Sequence, residues 1–393
     1  MESQLSHHPV YGGIHKAARK THRKASVAGT SMDYDGRYSA FDLGRVNTYP
    51  LNTRSNKVTL DDLVRPEDLD DLAIELPGKT CGDIENIARA IVSCREAGKP
   101  VVVFTGAHLI KNGLGLLLAE MVKRGLVSLV AGNCAAAIHD FELALIGQTS
   151  ENVPDALGKG RFGMAREFAY FNYAMSVGNK YKLGLGESLG RTICDEDFRR
   201  EVLASAAKGD LPDTFAHPEV SLIVACYENN VPFTIHVGIG TDVIDQHPSF
   251  DGQAKGGCSG RDFLIYTNEI AGLAGGGVVL NIGSAVTGPE VLLKAVSIAA
   301  NTGSVPNGIL TADFDLREDV SRASSPRFEG GTPSTQSDES SQCYYFRDQK
   351  SVVERIPRSF AGKGFYIQGN QKQTFPLLYK KTIQLLQQKG VEQ

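Results

Sequence analysis

Residues 101–151 read VVVFTGAHLIKNGLGLLLAEMVKRGLVSLVAGNCAAAIHDFELALIGQTSE. Val101, Val102, Val103 and Phe104 form an apolar run of strand length, which Thr105 and Gly106 bring to an end. Apolar residues then recur at helical spacing over 109–123, with Gly125 placed to cap the C-terminus. A second apolar run, 126–131, ends in Gly132, Asn133 and Cys134 before another helical pattern starts near Ala135. Strand, helix, strand, helix is the unit of a parallel sheet with right-handed crossovers. Open α/β sheets bind ligands beyond the carboxyl ends of their strands, so the segments 105–113 and 132–142 are the first places to expect a site.

The pattern extends outward from this unit. Residues 1–60 are polar and weakly patterned and are expected to form a partly disordered arm. Its basic stretch 15–24 reads either as a mobile tail or as a binding element. Helix starts are expected at 59–62 and 65–68, and a helix over 82–96. The chain becomes helical over about 155–230, with the glycine-rich GLGESLGR (184–191) between two helices. A strand is expected at 231–237, a polar loop at 238–260 and a helix at 261–273. The alternation resumes with strand 278–280, helix 288–301, strand 308–312, strand 364–367 and helix 376–388. Residues 321–342 are of low complexity and read as an exposed, flexible insertion. The expectation is one α/β domain over 61–393, doubly wound around a mostly parallel sheet, with helical insertions.

Bulk properties narrow the function classes. A formal net charge of -4 gives no basic face for nucleic acid. No apolar run approaches the roughly 20 residues of a membrane span, and the N-terminus lacks the apolar core of a secretory signal. The 7 cysteines are scattered without metal-ligand spacing or a disulfide framework, so a metal-free, reducing, cytoplasmic setting is expected.

Several clusters carry candidate chemistry. The helix start after Thr105, Gly106 and Ala107 offers backbone N–H groups to a phosphate, or is an ordinary turn; the usual dinucleotide fingerprint G-x-G-x-x-G is absent. His139, Asp140 and Glu142 crowd one helix, and either His139 or Asp140 faces the crevice as a general base, or the group is a surface pair. Asp242, Asp245, His247 and Asp251 suit an amine or a metal, or else cap helices and form Asx turns. Gly275, Gly276 and Gly277, followed by Asn281 and Ser284, let backbone approach a ligand, or make turns. Asp313 and Asp315 end the next strand, where carboxylates bind ribose hydroxyls or serve a turn. Cys134 is a candidate thiolate or a buried, inert thiol.

Six blocks together resemble the deoxyhypusine synthase superfamily: VVVFTGAHLIKNG, AGNCAAAIHD, GTDVIDQH, LAGGGVVLN, ILTADFD and YIQGNQKQTFPLL. The resemblance implies a Rossmann-like fold, NAD as cofactor, a small amine or polyamine as substrate, and a homotetramer with sites between subunits. It places Thr105, Gly106, Ala107, Asn133, Cys134, Gly276, Gly277, Asp313 and Asp315 at the cofactor, and the strand end itself adds Asn281 and Ser284 as candidate cofactor contacts. Asp242 and His247 then lie beside cofactor and amine, and His139 and Asp140 stand where the family has paired glutamates. The family's catalytic lysine follows Trp-Gly, whereas SVVERIPRS (351–359) has neither tryptophan nor lysine, and Lys363 is a poor substitute. Asn281 replaces a family histidine. Without a nucleophilic lysine no covalent imine relay is expected. The GNCAAAIHDFE segment (132–142) is also similar to the NAD-dependent domain of ornithine cyclodeaminases. These features point to an NAD-dependent enzyme that oxidises a small amine to an imine, which is then transferred, cyclised or hydrolysed. The alternatives are authentic deoxyhypusine synthesis on a translation factor, and NAD binding without catalysis.

Overall fold

The computed structural model describes residues 34, 36–70, 72–207, 209–320 and 345–390. The basic stretch 15–24 and the insertion 321–342 lie outside the described residues. The first half runs β1 (Asn56–Thr59), α1 (Gly78–Glu96), β2 (Val101–Thr105), α2 (Ala107–Lys111), α3 (Gly115–Lys123), β3 (Leu129–Asn133), α4 (Cys134–Ile146) and β4 (Gln148–Glu151). A helical stretch follows: α5 (Val153–Leu157), α6 (Phe168–Lys180), α7 (Leu185–Cys194), α8 (Glu196–Leu203) and α9 (Leu222–Glu228). The second half comprises β5 (Phe233–His236), α10 (Gly252–Ala271), β6 (Val278–Ile282) and α11 (Thr287–Asn301). It closes with β7 (Leu310–Asp315), α12 (Ile356–Ser359), β8 (Lys363–Gln368) and α13 (Gln371–Gln388).

Six strands form one parallel sheet in the order β5-β3-β2-β6-β7-β8. Successive strand residues point to opposite faces, and both faces are covered. Val101, Val103, Val130, Leu280 and Phe314 join a core with α1, α3, α4 and α13, while Val102, Phe104, Ala131 and Val279 pack under α10 and α11. That double burial is why the strands read as unbroken apolar runs rather than alternating ones. No helix of the described residues is long and apolar enough to cross a membrane.

Four expectations need correction. The helix expected over 109–123 is two helices, α2 and α3, broken around Gly113, whose φ is 77°. A Cβ there would run into the Asp62 carbonyl, and Val64 N donates to the Gly113 carbonyl at 2.9 Å, so the break seats the preceding segment. GLGESLGR is the helix α7, not a connector. Gly186 lies against the Phe233 backbone and Gly190 against Tyr227, so these glycines serve close packing. Its N-terminus is held by Asp262, which accepts from Leu185 N and Gly186 N at 3.1 Å and from Ile235 N at 2.8 Å.

Residues 252–260 likewise belong to α10, which Asp251 caps through Gln253 N and Ala254 N. Gly257 lets α10 approach Asn179 of α6, so the glycines that suggested a loop mark helix contact. Finally, the N-terminal arm is packed well before residue 61. Leu51 is buried, and β1 pairs antiparallel with β4, bringing Val58 opposite Thr149.

Candidate functional site

The strand order reverses between β2 and β6. From β2 the chain turns to one face through α2 and α3; from β6 it turns to the other through α11. Diverging connections of this kind leave a crevice at the carboxyl edge. Its lips are Thr105, Gly106 and Ala107 on one side and Gly283 and Ser284 on the other. Gly106 N donates to the Ile282 carbonyl at 2.9 Å, and a Cβ on Gly106 would strike the Gly283 carbonyl oxygen. Glycine is required here so that the two lips can meet. Ser284 Oγ accepts from Gly288 N at 2.9 Å and so ties the second lip to the start of α11.

Beneath this crevice, Phe104, Asn281 and Asp313 are register neighbours on one face of the sheet. Asn281 Nδ2 donates to Asp313 Oδ1 at 2.7 Å and to the Ser284 carbonyl at 2.8 Å. Among the described residues, Asn281 Oδ1 and Asp313 Oδ2 are buried without a hydrogen-bond partner. Orphaned buried acceptors are uncommon and call for an explanation. Burial, together with the nearby Asp348 and Asp315 carboxylates, pushes the Asp313 carboxyl well above its ordinary range. Asp315 is differently placed: Arg317 Nη2 donates to its Oδ2 at 2.5 Å and also reaches Asp348. Asp315 is therefore engaged by the chain itself.

On the other face, α4 sets His139 and Glu142 three residues apart on one side of the helix. Gly147, at φ 68°, ends α4 and turns the chain into β4. Thr149 of β4 donates to Glu142 Oε2, and His139 Nδ1 lies 2.7 Å from the Thr149 hydroxyl. Arg54, just ahead of β1, places Nη1 2.7 Å from Glu142 Oε1. Burial alone would raise the Glu142 carboxyl, but His139 and the Arg54 guanidinium outweigh it and hold the carboxyl down at about 2. His139 is half-buried; His108 of α2 lies within its electrostatic reach and has its pKa lowered by burial first, then by Lys111 and His139. Because α2 begins at the crevice lip and packs on α4, this cluster adjoins the switch point.

Other expected site residues lie elsewhere. Asp140 does not face the crevice: it accepts from Ser221 Oγ at 2.6 Å, Leu222 N at 2.8 Å and Ile223 N at 3.0 Å, capping α9. Gly276 and Gly277 precede β6 and sit beside Pro100 and Gly308 at the amino edge, the wrong side of the sheet for the crevice. Lys363 opens β8 at that same edge. Asn133 is at the carboxyl edge, but its side chain caps α4 by accepting from Ala136 N at 2.9 Å. Cys134 follows it and is fully buried, and burial reinforced by Asp242 drives its thiol well above the ordinary value.

The polar loop does bind an amine, and the amine is the chain's own. Lys255 is 0% exposed, and its Nζ meets Asp242 Oδ2 at 2.8 Å, Asp245, and the Gly238 carbonyl at 3.2 Å. Asp242 is thereby occupied rather than open to substrate. His247 is buried; its Nδ1 lies 2.7 Å from Ser249 Oγ, and burial pulls its pKa down to about 4. Its Nε2 has no hydrogen-bond partner among the described residues. The contacts running from His139 toward this loop pass through β4: Glu151 accepts from Gly163 N at 3.0 Å, and Gly163 packs on Gln246.

The sequence reading did not single out Arg54, Thr149 or Lys255, and noticed Glu142 without giving it a role. The i, i+3 spacing of His139 and Glu142 was a usable signal. Nothing local marks Arg54, whose position depends on the pairing of β1 with β4.

No family model and no curated protein matches the chain. Among solved structures, ArgZ, an arginine dihydrolase from the ornithine–ammonia cycle in cyanobacteria, is similar at 17% identity and a TM-score of 0.41, over 77% of this chain and 32% of its own. The ternary complex of AgrE with ornithine and NAD+ is similar at 15% identity and a TM-score of 0.43, over 81% of this chain and 35% of its own. A candidate deoxyhypusine synthase from Entamoeba histolytica is similar at 10% identity and a TM-score of 0.36, over 83% of this chain and 95% of its own. The chain thus spans about a third of the length of the first two. Likenesses this distant assign it no activity.

Proposed function

We propose that the chain binds NAD at the switch crevice and serves the oxidation of a small amine, with His139 as general base. The observation that carries this reading is a pair of buried oxygens without a hydrogen-bond partner among the described residues, Asn281 Oδ1 and Asp313 Oδ2, beside the crevice. A ribose hydroxyl both donates and accepts, so it suits either oxygen. Gly106, Ala107, Gly283 and Ser284 line the approach. When bound, NAD accepts a hydride from the carbon bearing the amine. The protein's part is to orient the amine and remove its proton. His139 Nε2, which has no hydrogen-bond partner among the described residues, takes that proton. The homotetramer implied by the deoxyhypusine synthase resemblance belongs to this proposal and is checked by sedimentation.

Two details refine the substrate step. An incoming amine competes with the Lys255 ammonium for Asp242, which favours a second reading in which NAD binds without turnover. Authentic deoxyhypusine synthesis is disfavoured, because Lys363 opens onto the opposite edge of the sheet. The experiment is to titrate NAD calorimetrically and then to offer polyamines and basic amino acids, following NADH absorbance. NAD binding with NADH formation supports the enzyme; binding alone supports the second reading; no binding defeats both.

A further inference from the structure

We infer that Thr149 is a positioning residue that locks His139 into the tautomer protonated at Nδ1, so that Nε2 is the one ring nitrogen that exchanges a proton. This rests on the reading of His139 as the base, and deepens it. A threonine hydroxyl has a single proton to give, and an ionised carboxylate has none. Glu142 is held ionised, despite its burial, by the Arg54 guanidinium 2.7 Å from its Oε1. The Thr149 proton therefore goes to Glu142 Oε2. With that proton committed, Thr149 Oγ1 meets His139 Nδ1 at 2.7 Å only as an acceptor, and Nδ1 must carry the hydrogen. This holds for the neutral ring and for the imidazolium alike. Nδ1 keeps its proton through the cycle, and the Nε2 lone pair faces away from Thr149.

Three separate segments build this arrangement. The spacing within α4 puts His139 above Glu142. The αL turn at Gly147 returns the chain so that Thr149 closes on both. The pairing of Val58 with Thr149 then brings Arg54 onto Glu142, with Arg54 Nε fixed on Asn56 Oδ1 at 2.7 Å. His139 Nδ1 is 3.8 Å from Glu142 Oε2, too far for a direct hydrogen bond, so the carboxylate acts on the ring through the hydroxyl. The charged or titratable groups placed about His139 are Glu142 on its own helix, Arg54 ahead of β1 and His108 on α2. Ser150, beside Thr149, is held at φ 70°, a conformation that non-glycine residues seldom adopt.

The test reads the tautomer directly and needs no substrate. Full-length protein labelled with 15N-histidine is studied by long-range 1H–15N correlation, with His139 assigned from the signal lost in His139→Gln. Wild type and Thr149→Ser are expected to show a protonated Nδ1 and a bare Nε2 in the neutral ring. Thr149→Val removes the acceptor and is expected to move the majority of the ring to the Nε2-protonated form. If Thr149→Val unfolds, Glu142→Gln serves instead: with its amide oxygen turned to Arg54 it presents NH2 to Thr149, which frees the hydroxyl to donate to Nδ1, and the same shift is expected. A wild-type ring protonated at Nε2, or a folded variant with an unchanged ring, overturns the inference. Absence of amine oxidation would leave the tautomer result standing; a negative tautomer result would leave oxidation standing with another base.

Discussion

Arg54 and Glu142 meet at 2.7 Å with about 4% of each side chain exposed, one from the N-terminal segment and the other from the middle of α4. A buried pair of this kind is weak evidence for net stability, but breaking it by removing one partner leaves a stranded charge. Arg54→Met is expected to cost roughly 3–5 kcal/mol. Arg54→Met combined with Glu142→Leu should recover most of that loss, since no charge is then left uncompensated. Urea denaturation midpoints of the two variants check this, and equal midpoints would count against it.

The same carboxylate sets an acid limit on stability. Glu142 is held at about 2 against an ordinary 4.5, so folding favours its ionised form. Its contribution is complete above about pH 4.5 and is lost as the pH falls toward 2. The amount at stake is roughly 3 kcal/mol. Glu142→Gln should flatten the acid limb of a pH–stability curve measured by denaturant. Asp262 has the opposite sign. Burial lifts it to about 7 despite three backbone donors, so its contribution is complete below 3.8 and fades as the pH rises through 7. Asp262→Asn should remove that alkaline decline.

Much of the fold was legible because strands buried on both faces read as unbroken apolar runs, as Val101 to Phe104 do. The crevice lips were legible for the same reason: Thr105 and Gly106 mark where a strand stops. The rest depended on contacts distant in sequence. His139 and Asp140 are neighbours in the chain, but a helix turns about 100° between them. One side chain reaches Thr149 and the other Ser221, and only the packing of β4 and α9 says which is which. Gly256 and Gly257 disguised α10 as a loop and so hid Lys255, whose carboxylate partners looked free for substrate. Gly276 and Gly277 were assigned by block similarity, which says nothing about the edge of the sheet on which a segment lies.

Lys255 should behave as a structural cation. Its ammonium, 0% exposed, is shared by Asp242 and Asp245. Lys255→Met would leave two carboxylates facing each other in a loop, and a loss of roughly 3–5 kcal/mol is expected. In the native protein Lys255 should resist acetylation by an amine-reactive reagent and become labelled only after unfolding. Peptide mass mapping of native and denatured samples distinguishes the two, and rapid native labelling would show the ammonium to be a reachable nucleophile.

Two substitutions on opposite edges of the sheet separate cofactor binding from folding. Asp313 is buried, offers an unpartnered Oδ2 beneath the crevice, and lies near the Asp348 and Asp315 carboxylates. Asp313→Asn keeps the acceptor that Asn281 Nδ2 uses and relieves like-charge crowding, so the thermal midpoint should hold or rise. It also replaces Oδ2 with an amide NH2, which cannot accept, and loss of a ligand hydrogen bond to that oxygen weakens binding about tenfold or more. Gly276, at φ 108° beside Gly308, is the counterpart. Gly276→Ala forces a side chain into a conformation it avoids and should lower the thermal midpoint, while NAD affinity of the folded fraction stays unchanged. Calorimetric NAD titrations and melting curves of both variants complete the comparison. Equal NAD affinity in Asp313→Asn and wild type would remove the carboxylate from the cofactor site, and with it the principal support for NAD at the switch crevice.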